Sequence, residues 1–142
     1  MQIVELKESF EICGLKIRTD NASEMNGEGR IADLWREFLN SSYNGTDEIC
    51  AVYHEYESDV NGSYSLLVGT KGSPRGVYEK VTVKAGKYAV FSKDGANEKA
   101  VIELWREIWE FFESSNLKRA YVTDFEKYLK DKIEIYVSIK QG

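Results

Sequence analysis

The chain has 142 residues, 42% hydrophobic and 30% charged, which fits one domain able to bury roughly 68% of the surface its unfolded form exposes. A net charge of −5 and the lack of any run of Lys or Arg argue against direct DNA contact, because phosphate binding needs a basic face. Two cysteines and one histidine are too few for a disulfide framework or a multi-histidine zinc site, so Cys13 and Cys50 are expected as buried free thiols and no metal or cofactor is expected.

The first eight residues, Met1 to Glu8, are charged from the start and offer neither a signal peptide nor a spanning segment, so a cytoplasmic protein with no membrane partner is expected. Phe10 and Ile12 alternate up to Gly14, after which the apolar phase moves to Leu15 and Ile17; a shift at glycine predicts a β-bulge. Ile31, Leu34, Trp35, Phe38 and Leu39 recur at helical spacing and predict a helix from about 29 to 40, ended by Ser41-Ser42-Tyr43-Asn44-Gly45. Strands are predicted over 51–58 and 64–70, joined by Asp59-Val60-Asn61-Gly62, whose Asn-Gly offers the positive φ of a tight hairpin. The glycine-rich loop from Gly69 to Gly76 resembles a phosphate cradle but leads into a strand rather than a helix N-terminus, which argues for a plain connection. Val81, Val83 and Ala85, then Gly86, Tyr88 and Val90, repeat the phase shift. A second helix follows on the stripe Val101, Leu104, Trp105, Ile108, Phe111 and Phe112, with Asn97 as its N-cap. Strands over 119–128 and 133–140 complete the chain.

These elements come in two similar sets. Leu34-Trp35-Arg36-Glu37-Phe38 returns as Leu104-Trp105-Arg106-Glu107-Ile108, 70 residues later, and Tyr53-His54-Glu55-Tyr56-Glu57 lies 69 residues before Val122-Thr123-Asp124-Phe125-Glu126. The chain reads as one domain, 1–142, with an internal repeat of 1–76 and 77–142. The expected fold is α+β: duplicated βαββ units form one antiparallel sheet, with two helices packed on it and a central ligand cleft.

Alternation in the last hairpin puts Ile133, Ile135, Val137 and Ile139 on the face that takes the helix, and Glu134, Tyr136 and Ser138 on the other. In the partner strand Phe125 opposes Glu126, so Glu126 is expected beside Tyr136, with Tyr53 and Glu57 in matching places of the first repeat. Such a face reads either as a solvated sheet surface or as a carboxylate set among aromatic rings. In the second case lost hydration favours an organic cation, which adds roughly 0.5–2 kcal/mol of cation–π attraction per ring. Trp35 and Trp105 read as core at helical spacing, while Trp109, at the edge of its stripe, reaches furthest toward a pocket. His54 reads as an ordinary strand residue.

Gly14-Leu15-Lys16-Ile17-Arg18-Thr19, Ile31-x-x-Leu34-Trp35-x-x-Phe38, Tyr53-x-x-Tyr56-Glu57-Ser58-Asp59, Ala85-Gly86-Lys87-Tyr88-Ala89-Val90-Phe91, Trp105-x-x-Ile108-Trp109 and Arg119-x-Tyr121-x-x-Asp124-Phe125-Glu126-x-Tyr128 occur in one order along nearly the whole chain. Together they resemble the GyrI-like, or AraC-type transcription-activator effector-binding, family. The resemblance implies a duplicated βαββ fold around a small-molecule pocket, in which Glu126 matches a buried glutamate that meets lipophilic cations. With it, the candidate ligand-binding set is Glu126, Tyr53, Glu57, Tyr88, Trp105, Trp109 and Tyr136. The chain departs from the regulators in showing no helix-turn-helix, so direct DNA contact is not expected. A stand-alone binding protein for amphipathic, cationic organic compounds is the first reading. GyrI-like relatives also imply two others: a hydrolase of electrophilic cyclopropane-bearing toxins, with Glu126 as base and Tyr53 or Tyr136 as donor, and a protein inhibitor of DNA gyrase. A regulator or gyrase is accordingly a candidate protein partner.

Overall fold

A computed structural model describes residues 1–41, 48–71 and 78–141. In chain order it contains β1 (Gln2–Leu6), β2 (Phe10–Asp20), α1 (Asn21–Met25), α2 (Ile31–Leu39), β3 (Ile49–His54), β4 (Ser63–Thr70), β5 (Glu79–Val83), β6 (Gly86–Asp94), α3 (Glu98–Ser114), β7 (Asp124–Tyr128) and β8 (Lys132–Ser138). All eight strands join one antiparallel sheet in the order β1-β6-β8-β7-β3-β4-β2-β5. The expected α+β architecture is the observed one.

The order reads the same outward from its middle. Hairpin β7–β8 leads to β6 on one side, and hairpin β3–β4 leads to β2 on the other. The edge strands are exchanged: β1 flanks β6, and β5 flanks β2. Only Lys84 and Ala85 separate β5 from β6, which stand near opposite ends of the order, so the sheet must curl back on itself. Ile12, Val52, Leu67, Val81, Val83, Tyr88 and Phe125 fill the side we term the reverse face.

The helices α2 and α3 lie on the other side. Ala51, which packs with Leu34 and Phe38 of α2, stands directly across from Glu126, and Glu126 stands across from Ile135, which packs with Leu104 and Ile108 of α3. Directly opposed residues share a sheet face, so α2 and α3 cover one helix face, each over its own half of the sheet.

Local chemistry explains where the elements begin and end. Asn97 accepts the Ala100 N–H at 2.9 Å and caps α3 as expected. Arg30 gives α2 no side-chain cap; instead Glu24, on the unanticipated α1, takes the Arg30 and Ile31 N–H groups at 2.9 and 3.2 Å. This cap comes from six and seven residues upstream, beyond the usual capping spacing.

Four expectations change. The first is the bulge at Gly14: β2 pairs without an inserted residue against both β4 and β5. The apolar phase shifts because Phe10 and Ile12 pack into the reverse face while Leu15 and Ile17 pack toward α2. Gly14 is required for another reason, since a Cβ there would lie 1.9 Å from the Val68 carbonyl oxygen of β4. Second, neither Asn61 nor Gly62 has positive φ; Gly62 N–H bonds the Asp59 carbonyl at 3.1 Å, and the Asp59 carboxylate takes the Asn61 N–H at 2.9 Å. Third, β3 stops at His54, because Glu55 turns to φ 53. Fourth, the last hairpin's first strand begins at Asp124 rather than 119: Tyr121 has φ 54, and Arg119 makes only an isolated bridge to Ile139. The helix end expected over 41–45 and the loop expected over 69–76 lie partly outside the described residues, at 42–45 and 72–76.

Candidate functional site

Strands β3 and β7 meet at the centre of the sheet, between the two helices. Asp124, Glu126 and Tyr128 alternate along β7 and so share the helix face, with Tyr53 directly across from Asp124. From above, α3 contributes Trp105 and α2 contributes Trp35, whose ring meets Tyr128 edge to face at 4.9 Å. Tyr53 sits edge to face with Trp105 at 5.4 Å and with Tyr64 at 5.3 Å.

Glu126 lies beneath these rings, only 2% exposed. Its Oε2 accepts the Tyr53 hydroxyl at 2.6 Å and the Trp105 indole N–H at 2.7 Å, and its Oε1 accepts the Tyr128 hydroxyl at 2.5 Å. All three donors are neutral, and among the described residues no Lys, Arg or His is ion-paired to Glu126. Hydrogen bonds to a charged group contribute about 1.5–3 kcal/mol each, the same order as the several kcal/mol that burying an ion costs. Burial prevails: it pushes the Glu126 carboxyl above its usual range, against the pull of the Tyr128, Tyr53 and Trp105 donors. Burial and the adjacent carboxylate also hold the Tyr53 and Tyr128 hydroxyls well above the usual phenol range, so both remain donors.

Two residues away, Asp124 is fully buried and fully engaged. Its Oδ1 takes the Ser138 N–H and hydroxyl at 2.7 and 2.9 Å, and its Oδ2 takes Arg119 Nη2 at 2.7 Å and the Tyr56 hydroxyl at 2.5 Å. The Arg119 guanidinium carbon lies 4.4 Å from the centre of the Tyr121 ring and 5.8 Å from that of Trp105, at cation–π distance. Tyr121 reaches this position through its positive φ, a conformation that costs a bulky residue about 1–3 kcal/mol.

Of the seven sequence candidates, the structure brings together Glu126, Tyr53 and Trp105, with Trp109 alongside: half-buried, its ring is 6.3 Å from that of Trp105. It does not bring in the other three. Tyr136 and Tyr88 lie on the reverse face, where Tyr136 stacks on Phe125 at 4.4 Å and Tyr88 packs against both. The cause is register: Phe125 opposes Tyr136, whereas Glu126 opposes Ile135, so the carboxylate shares the aliphatic, helix-covered face. Alternation within a strand does not fix which residue stands opposite in the next, and a slip of one exchanges the faces. Glu57 lies beyond the end of β3, is exposed, and accepts the Ser63 N–H at 3.3 Å in the turn.

Sequence reasoning did not place Tyr56, Tyr128, Asp124 and Arg119 in this cluster. The signal for two of them was present, because Asp124 and Tyr128 flank Glu126 at the spacing that puts all three on one face. His54 is the last residue of β3, buried, with its Nε2 lacking a hydrogen-bond partner among the described residues, and Cys13 and Cys50 are buried free thiols. Among the described residues no group of three or more His, Cys, Asp or Glu is placed to hold a metal, and no helix is long and apolar enough to cross a membrane.

Comparison with known proteins bears on the whole of this framework. The sequence model of the Cass2 family, described as integron-associated effector binding protein, matches residues 2–139. The YobU protein of Bacillus subtilis (strain 168), named for transcriptional regulation, is 37% identical over 147 residues, covering 90% of this chain and 91% of its own. The structure of integron cassette protein VCH_CASS2, from the mobile metagenome of Vibrio cholerae, superposes with a TM-score of 0.90 at 34% identity, covering 98% of this chain and 95% of that one. SAV2435, solved bound to tetraphenylphosphonium, shares the fold with a TM-score of 0.71 at 20% identity, covering 98% of this chain and 93% of its own. With a family match along nearly its full length and a GyrI-like fold, this chain belongs to the Cass2 family of integron-associated effector-binding proteins.

Proposed function

We propose that the protein binds amphipathic organic cations between α2 and α3, with Glu126 as counter-ion and the surrounding Trp and Tyr rings as walls. One observation carries this reading: Glu126 is a buried carboxylate with three neutral donors and no cationic partner among the described residues. An organic cation supplies the missing charge and shields the carboxylate from water, and each ring adds roughly 0.5–2 kcal/mol when it meets the cation face on. That a protein of the same fold holds tetraphenylphosphonium supports the choice of ligand class.

The test is titration of Trp fluorescence with tetraphenylphosphonium and with neutral triphenylphosphine oxide, on the wild type and on Glu126→Gln. The wild type should prefer the cation by about tenfold for each 1.4 kcal/mol of charge pairing, and Glu126→Gln should remove that preference while the protein stays folded. Equal affinity of the wild type for both compounds would sink the charge-pair reading. The Tyr53 hydroxyl donated to Glu126 also keeps a hydrolase reading in view, with Glu126 activating water and Tyr53 protonating the leaving group. Turnover of an electrophilic cyclopropane substrate, lost in Glu126→Gln, is its measurement.

A further inference from the structure

Two buried carboxylates stand on the same face of β7, with one residue between them, and they are balanced differently. Asp124 is ion-paired with Arg119, both side chains being at most 8% exposed, whereas Glu126 faces neutral donors only. We infer that Arg119 is a built-in counter-ion that fixes the valence of the site: it cancels Asp124, leaves Glu126 as the single uncompensated charge, and so selects ligands bearing one positive charge over ligands bearing two. This inference rests on the cation-binding reading above and goes beyond it, by assigning a specificity role to a residue that need not touch the ligand.

The geometry supports it in three ways. Arg119 lies within the same aromatic cluster rather than apart from it: its guanidinium carbon is 5.8 Å from the centre of the Trp105 ring, and the indole N–H of Trp105 bonds Glu126 at 2.7 Å. Removing either partner of the pair would therefore leave a charge that acts on anything held against Trp105. Arg119 is also poorly provided with hydrogen bonds, since its Nε is buried with no partner. Its tightest contact is the 2.7 Å pair with Asp124, so charge neutralisation rather than a complete hydrogen-bond set accounts for its place in the interior. Finally, Asp124 already receives donors from Ser138, Tyr56 and Arg119 on both oxygens, which leaves it no role as a second ligand carboxylate while Arg119 is present. A dication entering here would find one free negative charge, Asp124 being already neutralised by Arg119, so its second charge would be buried without a partner.

Two flat biaryl cations of nearly the same shape serve as probes: N-methyl-4-phenylpyridinium, with one charge, and N,N′-dimethyl-4,4′-bipyridinium, with two. Their affinities are read by fluorescence titration and calorimetry on the full chain, with near-ultraviolet circular dichroism to establish folding. Wild type should favour the monocation by about tenfold or more. Asp124→Asn leaves Arg119 uncancelled and should weaken the monocation by about tenfold or more although Glu126 is untouched. The double variant Arg119→Met with Asp124→Asn restores a net single negative charge and should bring monocation affinity back; a purely structural role for the pair would not yield this rescue. Arg119→Met alone, where it folds, should shift preference toward the dication. The inference is overturned if wild type takes both probes equally, if folded Asp124→Asn binds the monocation as wild type does, or if the double variant fails to recover. Wild type that binds neither probe removes the cation reading itself, whereas monocation binding that ignores Asp124→Asn removes only the valence role of Arg119.

Discussion

On the helix face of β7, Tyr128 donates its hydroxyl to a buried carboxylate; on the reverse face of the same strand, Phe125 stacks on Tyr136 and Tyr88 packs edge-on against both. Both faces are rich in aromatic rings, and both bury them. They differ in what the polar atoms do. The Tyr88 hydroxyl is used up within the fold, between the Lys84 carbonyl at 2.7 Å and the Thr123 hydroxyl at 2.8 Å. On the helix face a formal charge remains after every local donor has been spent. A ring cluster becomes a candidate site through that residual charge and not through its aromatic content.

The contrast makes its largest prediction by exchanging stability for binding. Phe125→Ala removes a ring that is 3% exposed and stacked on Tyr136, and should cost about 3–5 kcal/mol in denaturant unfolding. Where it remains folded, it should still bind tetraphenylphosphonium. Glu126→Gln should do the reverse, leaving the protein as stable or more so and losing the preference for cations. If truncation of Phe125 removed binding from a protein that chemical denaturation shows to be folded, the two faces would not be separable.

A smaller effect should appear along the pH axis. Burial raises the Glu126 carboxyl above its ordinary 4.5, so the folded protein keeps this proton at pH values where the unfolded chain has released it. The stabilising contribution is complete below about 4.5 and is lost as pH rises through the higher native value. Glu126→Gln carries no such dependence. Its stability relative to wild type should therefore improve as pH rises from that point, then level off once native Glu126 has ionised. Wild-type affinity for a monocation should climb across the same window, because only the ionised carboxylate pairs with it. Thermal melts and titrations at matched pH check both curves. A difference between the two proteins that does not change with pH would show that Glu126 titrates normally.

How much of this was legible beforehand follows from the range over which each signal acts. The stripes of α2 and α3, the Asn97 cap, and the aliphatic face of β8 are set by residues a few positions apart, and the sequence displays them. Glu126 was singled out by a motif of ten residues. Tyr136 and Tyr88 were misplaced because their faces depend on cross-strand register, which no local pattern encodes. Glu57 was assigned by carrying the repeat offset past the point where Glu55 leaves the strand. Arg119 stands in the same motif as Glu126, but its pairing with Asp124 is not legible there, because it is set by a turn at Tyr121 whose φ is unusual for a tyrosine.

The finest distinction between the faces is a single hydroxyl. Tyr128→Phe and Tyr136→Phe delete the same atom from the same residue type, on adjacent strands but on opposite sides of the sheet. The Tyr128 hydroxyl lies 2.5 Å from buried Glu126, whereas the Tyr136 hydroxyl reaches Glu134, part-exposed, only at 3.5 Å. A hydrogen bond of the first kind contributes about 1.5–3 kcal/mol when the acceptor is ionised, and a contact of the second kind contributes next to nothing. Of the donors that oppose burial at Glu126, Tyr128 is the largest, so its loss should push that carboxyl higher still and move the pH window for cation binding upward. Tyr136→Phe should leave both the window and the affinity unchanged. The measurement is the pH midpoint of monocation affinity in the two variants beside wild type. A midpoint that moves in Tyr136→Phe, or stays fixed in Tyr128→Phe, would place the titrating carboxylate somewhere other than beneath the rings of the helix face.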